Sequence, residues 1–426
     1  METSKYWLEK IISKTQFENY IGYMWKSGNN EFDLKSFMET EYCAELTRRL
    51  KREYTYEIEP MGKETLEYIS DLGLNKELFE NESFYTRWTI YTPLEPIPDK
   101  KYPVIFVLHG GGDAIEAAEF IPGYLEIAVQ EGFIPIFPQN HNTDNILRIL
   151  NIVSKKYPVD LERVYVTGHS QGGMKSFQAA YRAPEVFAAM GPCNFMFHFD
   201  EDDNGQRFPQ EVFDKFKEKV VPCIQIVGCA EMLNLVPLNF YRPEINSVHL
   251  FDGWKDDPRC SRPSFTPELG NYWIGYMNWE ATRSPDPRRY TEQDPTVSKW
   301  EGFKAIPYGT DADRTFLEGV NTFLALEGVA PRDIEKCLSY RNTPEDELHH
   351  EVGIYADEEY TDRYYGYKHY TLNFNNSEGV NTFRFIAVEN CYHTYMTTQA
   401  QLTWNFFKNF RRDQKTGKLV VDEYEK

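Results

Sequence analysis

The chain is 426 residues long, 41% hydrophobic and 15% aromatic. That is enough apolar surface for a large core without disulfide or metal staples, and too much for a chain that stays unfolded. Its 66 acidic against 46 basic residues leave a formal net charge of −20, a field that repels nucleic-acid backbones and anionic membrane surfaces.

As a soft prior, this length allows about two to three average domains, or one large α/β domain carrying an insertion. Residues 1–80 are polar, dotted with aromatics and mostly helical in pattern, with a possible strand over 54–58; no chemistry is visible there. From Phe84 the pattern changes. A strand is predicted over 84–91, then a short buried one over 104–108, introduced by Tyr102-Pro103. The second ends abruptly in His109-Gly110-Gly111-Gly112-Asp113. Asp113 and Glu116 have the spacing of an N-terminal capping pair, which predicts a short helix. Another helix starts at Pro122 and stops at Gly132, and a strand over 133–137 follows.

The alternation continues. Ile146, Ile149, Leu150 and Val153 make one face of a helix. A β-branched strand over 164–167 runs into Gly168-His169-Ser170-Gln171-Gly172-Gly173, and a helix over 174–182 stops at Ala183-Pro184. Strands are predicted over 187–190 and 224–227. Between about 239 and 311 the rhythm breaks, and four of the eight tryptophans fall there: Trp254, Trp273, Trp279 and Trp300. A structureless loop of that length would be unusual, so a subdomain or cap is expected. Phe316, Val320, Phe323 and Leu324 then mark a helix stopped by Gly328. A strand over 383–388 follows, and Leu402, Phe406 and Phe410 line a last helix.

Strands alternating with helices predict an α/β fold, a mostly parallel central sheet with helices on both faces. The expected division is an extension over 1–80, a first part of the core over 81–238, an aromatic-rich insertion or cap over 239–311, and the rest of the core over 312–426.

Gly168-x-Ser170-x-Gly172 is the central chemical signal. A nucleophilic serine must project from a strained strand-to-helix turn, and small residues two before and two after permit it. The rival reading is an ordinary glycine-rich turn. His109-Gly110-Gly111-Gly112 is the second signal, a loop that can turn backbone N–H groups toward a developing oxyanion. Gly111 or Gly112 would supply one donor and the amide of Gln171 another. A plain β-to-α turn competes, but nucleotide binding finds no Gly-x-Gly-x-x-Gly and no Gly-Lys-Ser/Thr ending. His109 itself is read as structural rather than as a base.

A serine needs a base and an orienting acid. In α/β-hydrolases these follow the nucleophile in the order acid, then base, each after a later strand. Glu231 is the first carboxylate after the strand near 220–227, and His393 follows the last strand. His141 and His169 precede the serine, His198 precedes the acid strand, and His249 lies in the insertion. His349, His350 and His369 come before the final strand. Asp252 and Asp256 remain rival acids. His349-His350-Glu351 cannot present adjacent side chains to one helix face, so metal binding is discounted. Seven scattered cysteines (Cys43, Cys193, Cys223, Cys229, Cys260, Cys337 and Cys391) form no C-x-x-C, and the first ten residues hold no apolar stretch of signal-peptide length. A cytoplasmic protein with reduced thiols is expected, with no nucleic-acid or membrane partner; the oligomeric state stays open.

With these residues in place the chain resembles the α/β-hydrolase superfamily, and within it the esterases related to polyhydroxybutyrate depolymerases and feruloyl esterases. The resemblance rests on residues 101–112 (KYPVIFVLHGGG), 157–170 (YPVDLERVYVTGHS), 221–231 (VPCIQIVGCAE) and Cys391-Tyr392-His393-Thr394. It implies a serine hydrolase acting on carboxylic esters without a cofactor. Ser170 would be the nucleophile, His393 the base and Glu231 the acid, with Gly111, Gly112 and Gln171 giving oxyanion amides. Three departures stand out: aspartate is usual where Glu231 stands, glycine usually precedes the histidine, and many relatives are secreted. Candidate substrates are acylated carbohydrates or short hydroxyacid oligomers. Two other classes stay open, a serine peptidase of the prolyl-oligopeptidase kind and a non-catalytic binding protein on a hydrolase scaffold. The insertion is expected either to roof the site or to form a core of its own.

Overall fold

The computed structural model describes residues 61–80, 86–111, 115–120, 122–195, 202, 206–228, 311–343, 345–364, 367–388, 395 and 398–422. The possible strand over 54–58 and the insertion up to residue 310 lie outside them.

The core strands read as they do because they are buried on both faces. In β3 (Tyr102–Leu108) Val104, Phe106 and Leu108 join one hydrophobic cluster, while Ile105 and Val107 join the other. β5 (Val159–His169) divides in the same way, with Val164 and Val166 on one side and Tyr165 on the other. This strand begins five residues before its β-branched stretch. Val159 pairs with Tyr102, and the register then shifts so that Val164 pairs with Val104. The charged Asp160, Glu162 and Arg163 fall in that irregular stretch and hide it from a pattern search.

The largest sheet among the described residues has ten strands in the order β1-β2-β4-β3-β5-β6-β7-β10-β9-β8. The other strands in it are β1 (Leu74–Phe79), β2 (Trp88–Pro93), β4 (Ile134–Pro138), β6 (Ala189–Cys193), β7 (Cys223–Gly228), β8 (Glu358–Tyr364), β9 (Tyr367–Asn375) and β10 (Asn381–Val388). The run β4-β3-β5-β6-β7-β10 is parallel throughout, and antiparallel strands flank it on both sides. Helices α4 (Thr143–Lys156), α5 (Gln171–Arg182), α6 (Gln210–Glu218) and α7 (Asp311–Leu326) cover one face. The other is covered by α1 (Lys63–Asp71), α2 (Ile115–Phe120), α3 (Tyr124–Glu131) and α10 (Gln399–Phe407). Two short helices, α8 (Ile334–Ser339) and α9 (Glu347–Val352), precede β8. This is the expected α/β architecture, a mostly parallel central sheet with helices on both faces.

Local signals set several boundaries. Asn142 caps α4 by accepting from the Asn145 N–H, and Ile146, Ile149 and Val153 are buried along its inner face. Gly132 closes α3 at φ 77°, a left-handed conformation that glycine adopts without strain. Some elements escaped the sequence reading. β1 sits in the polar stretch before residue 80 and pairs antiparallel with β2. The hairpin β8–β9 has an outer strand with no hydrophobic alternation, Glu-Glu-Tyr-Thr-Asp-Arg-Tyr, almost wholly exposed. Phe410 does not extend the last helix; it opens β11 (Phe410–Arg412), which pairs with β12 (Leu419–Val421).

Candidate active site

Parallel strands deliver their C-terminal ends to one edge, which is where open α/β sheets hold ligands. The register is tight at that edge: His169 pairs with Cys193, Cys193 with Ile226, and Ile226 with Ile386. Ser170 therefore begins the turn one residue beyond a row spanning four adjacent strands. Gly228 and Val388, the last residues of β7 and β10, are register partners at the same edge.

The turn at Ser170 is strained. Its φ of 54° and ψ of −115° lie in a region that favours glycine. Crowding explains the glycines around it. A Cβ on Gly168 would meet the Gly172 carbonyl carbon at 2.5 Å, and one on Gly172 would meet the Leu108 oxygen at 2.2 Å. On Gly173 it would meet Phe195 Cβ at 2.9 Å. The turn is also tied to neighbouring strands. Ser170 N–H donates to the Cys193 carbonyl at 2.9 Å, and Asn194 N–H to that of Ile226 at 2.9 Å. Gly228 N–H donates to Asn194 Oδ1 at 3.1 Å. Ser170 is half-buried, and α5 starts behind it with no acidic residue in its first turn. The N–H groups that open a helix have no intrahelical partner, which favours negative charge at that end.

Gly111 lies against this turn, with a Cβ built on it falling 3.7 Å from Gln171 Cβ. Gly110 N–H donates to the Tyr395 hydroxyl at 2.9 Å. His109 is buried, with Nδ1 2.7 Å from the Gly110 carbonyl oxygen and its ring 4.5 Å from that of His141. Burial, then His109 and Lys175, pull the pKa of His141 down, which keeps its ring neutral. Glu116, read from sequence as half of a capping pair, instead turns its carboxylate to Arg87 Nη2 at 2.9 Å. Burial and the nearby Glu119 raise its pKa against the pull of Arg87.

Gly112, Asp113, Glu231 and His393 lie outside the described residues, as do Asp252 and Asp256. Their flanks do not. Tyr395 stands two residues after His393, a span of at most about 7 Å between Cα atoms. Its ring lies 4.2 Å from that of His169, the residue before the serine. Tyr395 is thus fixed between His169 and Gly110. Glu231 comes three residues after Gly228. The other described histidines are engaged elsewhere. His369 Nε2 is 3.4 Å from Thr398 Oγ1, and His349 lies 2.7 Å from Asp346 and 2.9 Å from Glu359. Among the described residues no three His, Cys, Asp or Glu side chains converge to hold a metal.

Sequence reasoning missed Tyr395, Asn194, Arg87 and Gln139. Tyr395 was the most accessible of them, because it follows the quoted histidine segment directly.

No family model matches the chain. A bifunctional acetylxylan esterase/xylanase of Neocallimastix patriciarum is 26% identical over 117 residues, which cover 25% of this chain and 17% of that protein. Feruloyl esterase B of Neurospora crassa is 34% identical over 119 residues, covering 22% of this chain and 40% of that protein. The chain thus spans well under half the length of either curated relative. Among solved structures, a mutant feruloyl esterase module of Clostridium thermocellum in complex with sinapinate aligns at 15% identity. That alignment covers 37% of this chain and 68% of that one, with a TM-score of 0.30. No helix among the described residues is long and apolar enough to cross a membrane.

Proposed function

We propose that this chain is a serine esterase in which Ser170 is the nucleophile, His393 the base, Glu231 the orienting acid, and the amides of Gly111, Gly112 and Gln171 the oxyanion donors. One observation carries the reading. A serine held at φ 54° on a turn shaped by three glycines follows His169, and Tyr395, two residues after His393 in sequence, packs on His169 and accepts from Gly110 N–H in the glycine-rich loop. A strained serine close to a backbone-donor loop, with a histidine two residues from Tyr395 in the chain, suits acyl transfer.

His393 takes the Ser170 proton as Oγ attacks the ester carbonyl, and the negative oxygen forms at the amides. Collapse breaks the ester C–O bond, and the alcohol leaves with the proton held by His393. Water, deprotonated by the same imidazole, then cleaves the acyl-enzyme. Glu231 holds the ring in the tautomer this requires. The name of the acetylxylan esterase/xylanase relative points to acyl groups on carbohydrate as the substrate class, and that of the other to feruloyl esters. The free, buried thiols of Cys193, Cys223 and Cys337 support a reducing, cytoplasmic setting.

The test is labelling with a fluorophosphonate, followed by hydrolysis of nitrophenyl esters, acetylated xylan, feruloyl sugars, hydroxyacid oligomers and aminoacyl amides. Labelling at Ser170 with turnover of esters is expected. Absence of labelling overturns the reading, and turnover of amides in preference to esters replaces it with a peptidase.

A further inference from the structure

The oxyanion loop is held by more than its glycines, and the hold reaches back through buried side chains toward β2. Gln139, just past β4, has Oε1 3.2 Å from Arg87 Nη2, 3.3 Å from Arg87 Nε and 3.2 Å from Ile115 N. Three N–H donors on one oxygen fix the amide, because flipping it would set its NH₂ against them. Glu116 Oε2 anchors the guanidinium at 2.9 Å, with the two side chains 8% and 2% exposed. The amide nitrogen of Gln139 then faces His109 Nε2 at 3.0 Å. An amide N–H only donates, so Nε2 accepts and the ring proton belongs on Nδ1, 2.7 Å from the Gly110 carbonyl oxygen.

We infer that the buried Glu116–Arg87–Gln139 chain sets the tautomer of His109, and that His109 aims the Gly111 N–H at the oxyanion by holding the Gly110 carbonyl. The peptide between Gly110 and Gly111 is trans, so its C=O and N–H point in opposite directions. A carbonyl drawn toward the imidazole turns the N–H on the same peptide away from it, to the side where Gly111 adjoins Gln171. The preceding peptide is pinned as well, because Gly110 N–H is spent on Tyr395. One contact opposes this arrangement. The backbone carbonyl of Gln139 is also 3.0 Å from His109 Nε2 and would suit the opposite tautomer. The oriented amide decides between the two. His109 touches no reacting atom and is a positioning residue.

The kinetic consequence rests on the esterase reading, but the tautomer does not. With the full chain labelled at histidine ¹⁵N, and the signal assigned through His109→Asn, wild-type His109 should show a protonated Nδ1. Gln139→Leu should shift the population toward the other nitrogen. A wild-type ring protonated at Nε2 overturns the inference whether or not any ester is cleaved. In nitrophenyl acetate hydrolysis, His109→Leu should lower kcat about a hundredfold, as loss of an oxyanion donor does, with KM within about threefold. His109→Asn puts an amide N–H near the Nδ1 position and should stay within about tenfold of wild type. Equal losses in the two variants, or none with leucine, also overturn it. If His109→Leu does not fold, Arg87→Lys takes its place: it keeps the charge opposite Glu116 but loosens Gln139, so kcat should fall with little change in KM.

Discussion

A Cβ on Gly172 would lie 2.2 Å from the carbonyl oxygen of Leu108. The obstacle is backbone at the end of β3, not the tip of a movable side chain. Gly172→Ala must therefore push α5 away from the sheet and carry Ser170 with it. Overpacking of this kind costs about 1–3 kcal/mol of stability. Thermal unfolding should show that loss, and kcat should fall more than stability alone explains. An alanine variant with wild-type melting and turnover would contradict the packing.

The strain at Ser170 separates two substitutions that look alike. Ser170→Ala and Ser170→Gly should each abolish turnover, by a factor on the order of 10⁶ for a lost nucleophile. Alanine keeps the unfavourable φ of 54°, whereas glycine relaxes it. Strain of about 1–3 kcal/mol, offset by the extra flexibility of unfolded glycine, leaves Ser170→Gly about 1 kcal/mol more stable than wild type. Denaturant midpoints for the three chains test the order glycine above alanine and wild type.

Glu327, just after α7, is fully buried, and neither of its carboxyl oxygens has a hydrogen-bond partner among the described residues. Burial raises its pKa well above the usual carboxylate value of 4.5. The folded chain keeps a proton that the unfolded chain releases above that value. Stability from this group therefore falls as pH rises from about 4.5 toward the folded value, by up to about 1.4 kcal/mol per unit. Glu327→Leu should flatten the slope of urea midpoints between about pH 5 and about pH 8. An unchanged slope would mean the carboxyl finds a partner.

Arg412 is also buried, and its guanidinium donates to the Phe187 carbonyl at 2.9 Å and the Val220 carbonyl at 2.7 Å. Burial lowers its pKa to about 10. Arg412→Met would leave both carbonyls unpaired, at a cost of about 3 kcal/mol. Arg412→Lys should recover only part of this, since a single ammonium lacks the planar fork. These carbonyls precede β6 and β7, at the edge opposite Ser170, so kcat at a temperature where the variants are folded should be unchanged.

What was legible in the sequence was local. The turn at Ser170 needs glycine at 168 and 172 within five residues, so its signal survives in a short window. The parallel strands could be found because burial on both faces makes them continuously apolar. The support of the glycine-rich loop after β3 could not be found this way. Its contacts join residues 29, 30 and 52 positions apart, and a lone arginine before β2 looks like a solvated one until the fold closes over it. The hairpin β8–β9 was hidden for another reason: an exposed edge strand needs no hydrophobic alternation, and charge there discourages pairing with other chains. Glu231 and His393 were chosen from their order along the chain, a criterion that carries no geometry.

The strand ends turn that order into a sharp expectation. Gly228 and Val388 are register partners, so residues three and five further on start from adjacent points on the edge that carries Ser170. Glu231→Gln should lower kcat about 10⁴-fold, the loss seen when the orienting acid of a triad becomes an amide. Asp252→Asn and Asp256→Asn should leave it near wild type. His393→Ala should be nearly as damaging as Ser170→Ala, and the double variant no worse than either, because groups acting on one proton do not contribute independently. Measured kcat values for these six variants decide the assignment. A large loss in Asp252→Asn or Asp256→Asn with little in Glu231→Gln would move the acid into the insertion, and multiplying losses in the double variant would separate His393 from the serine's proton.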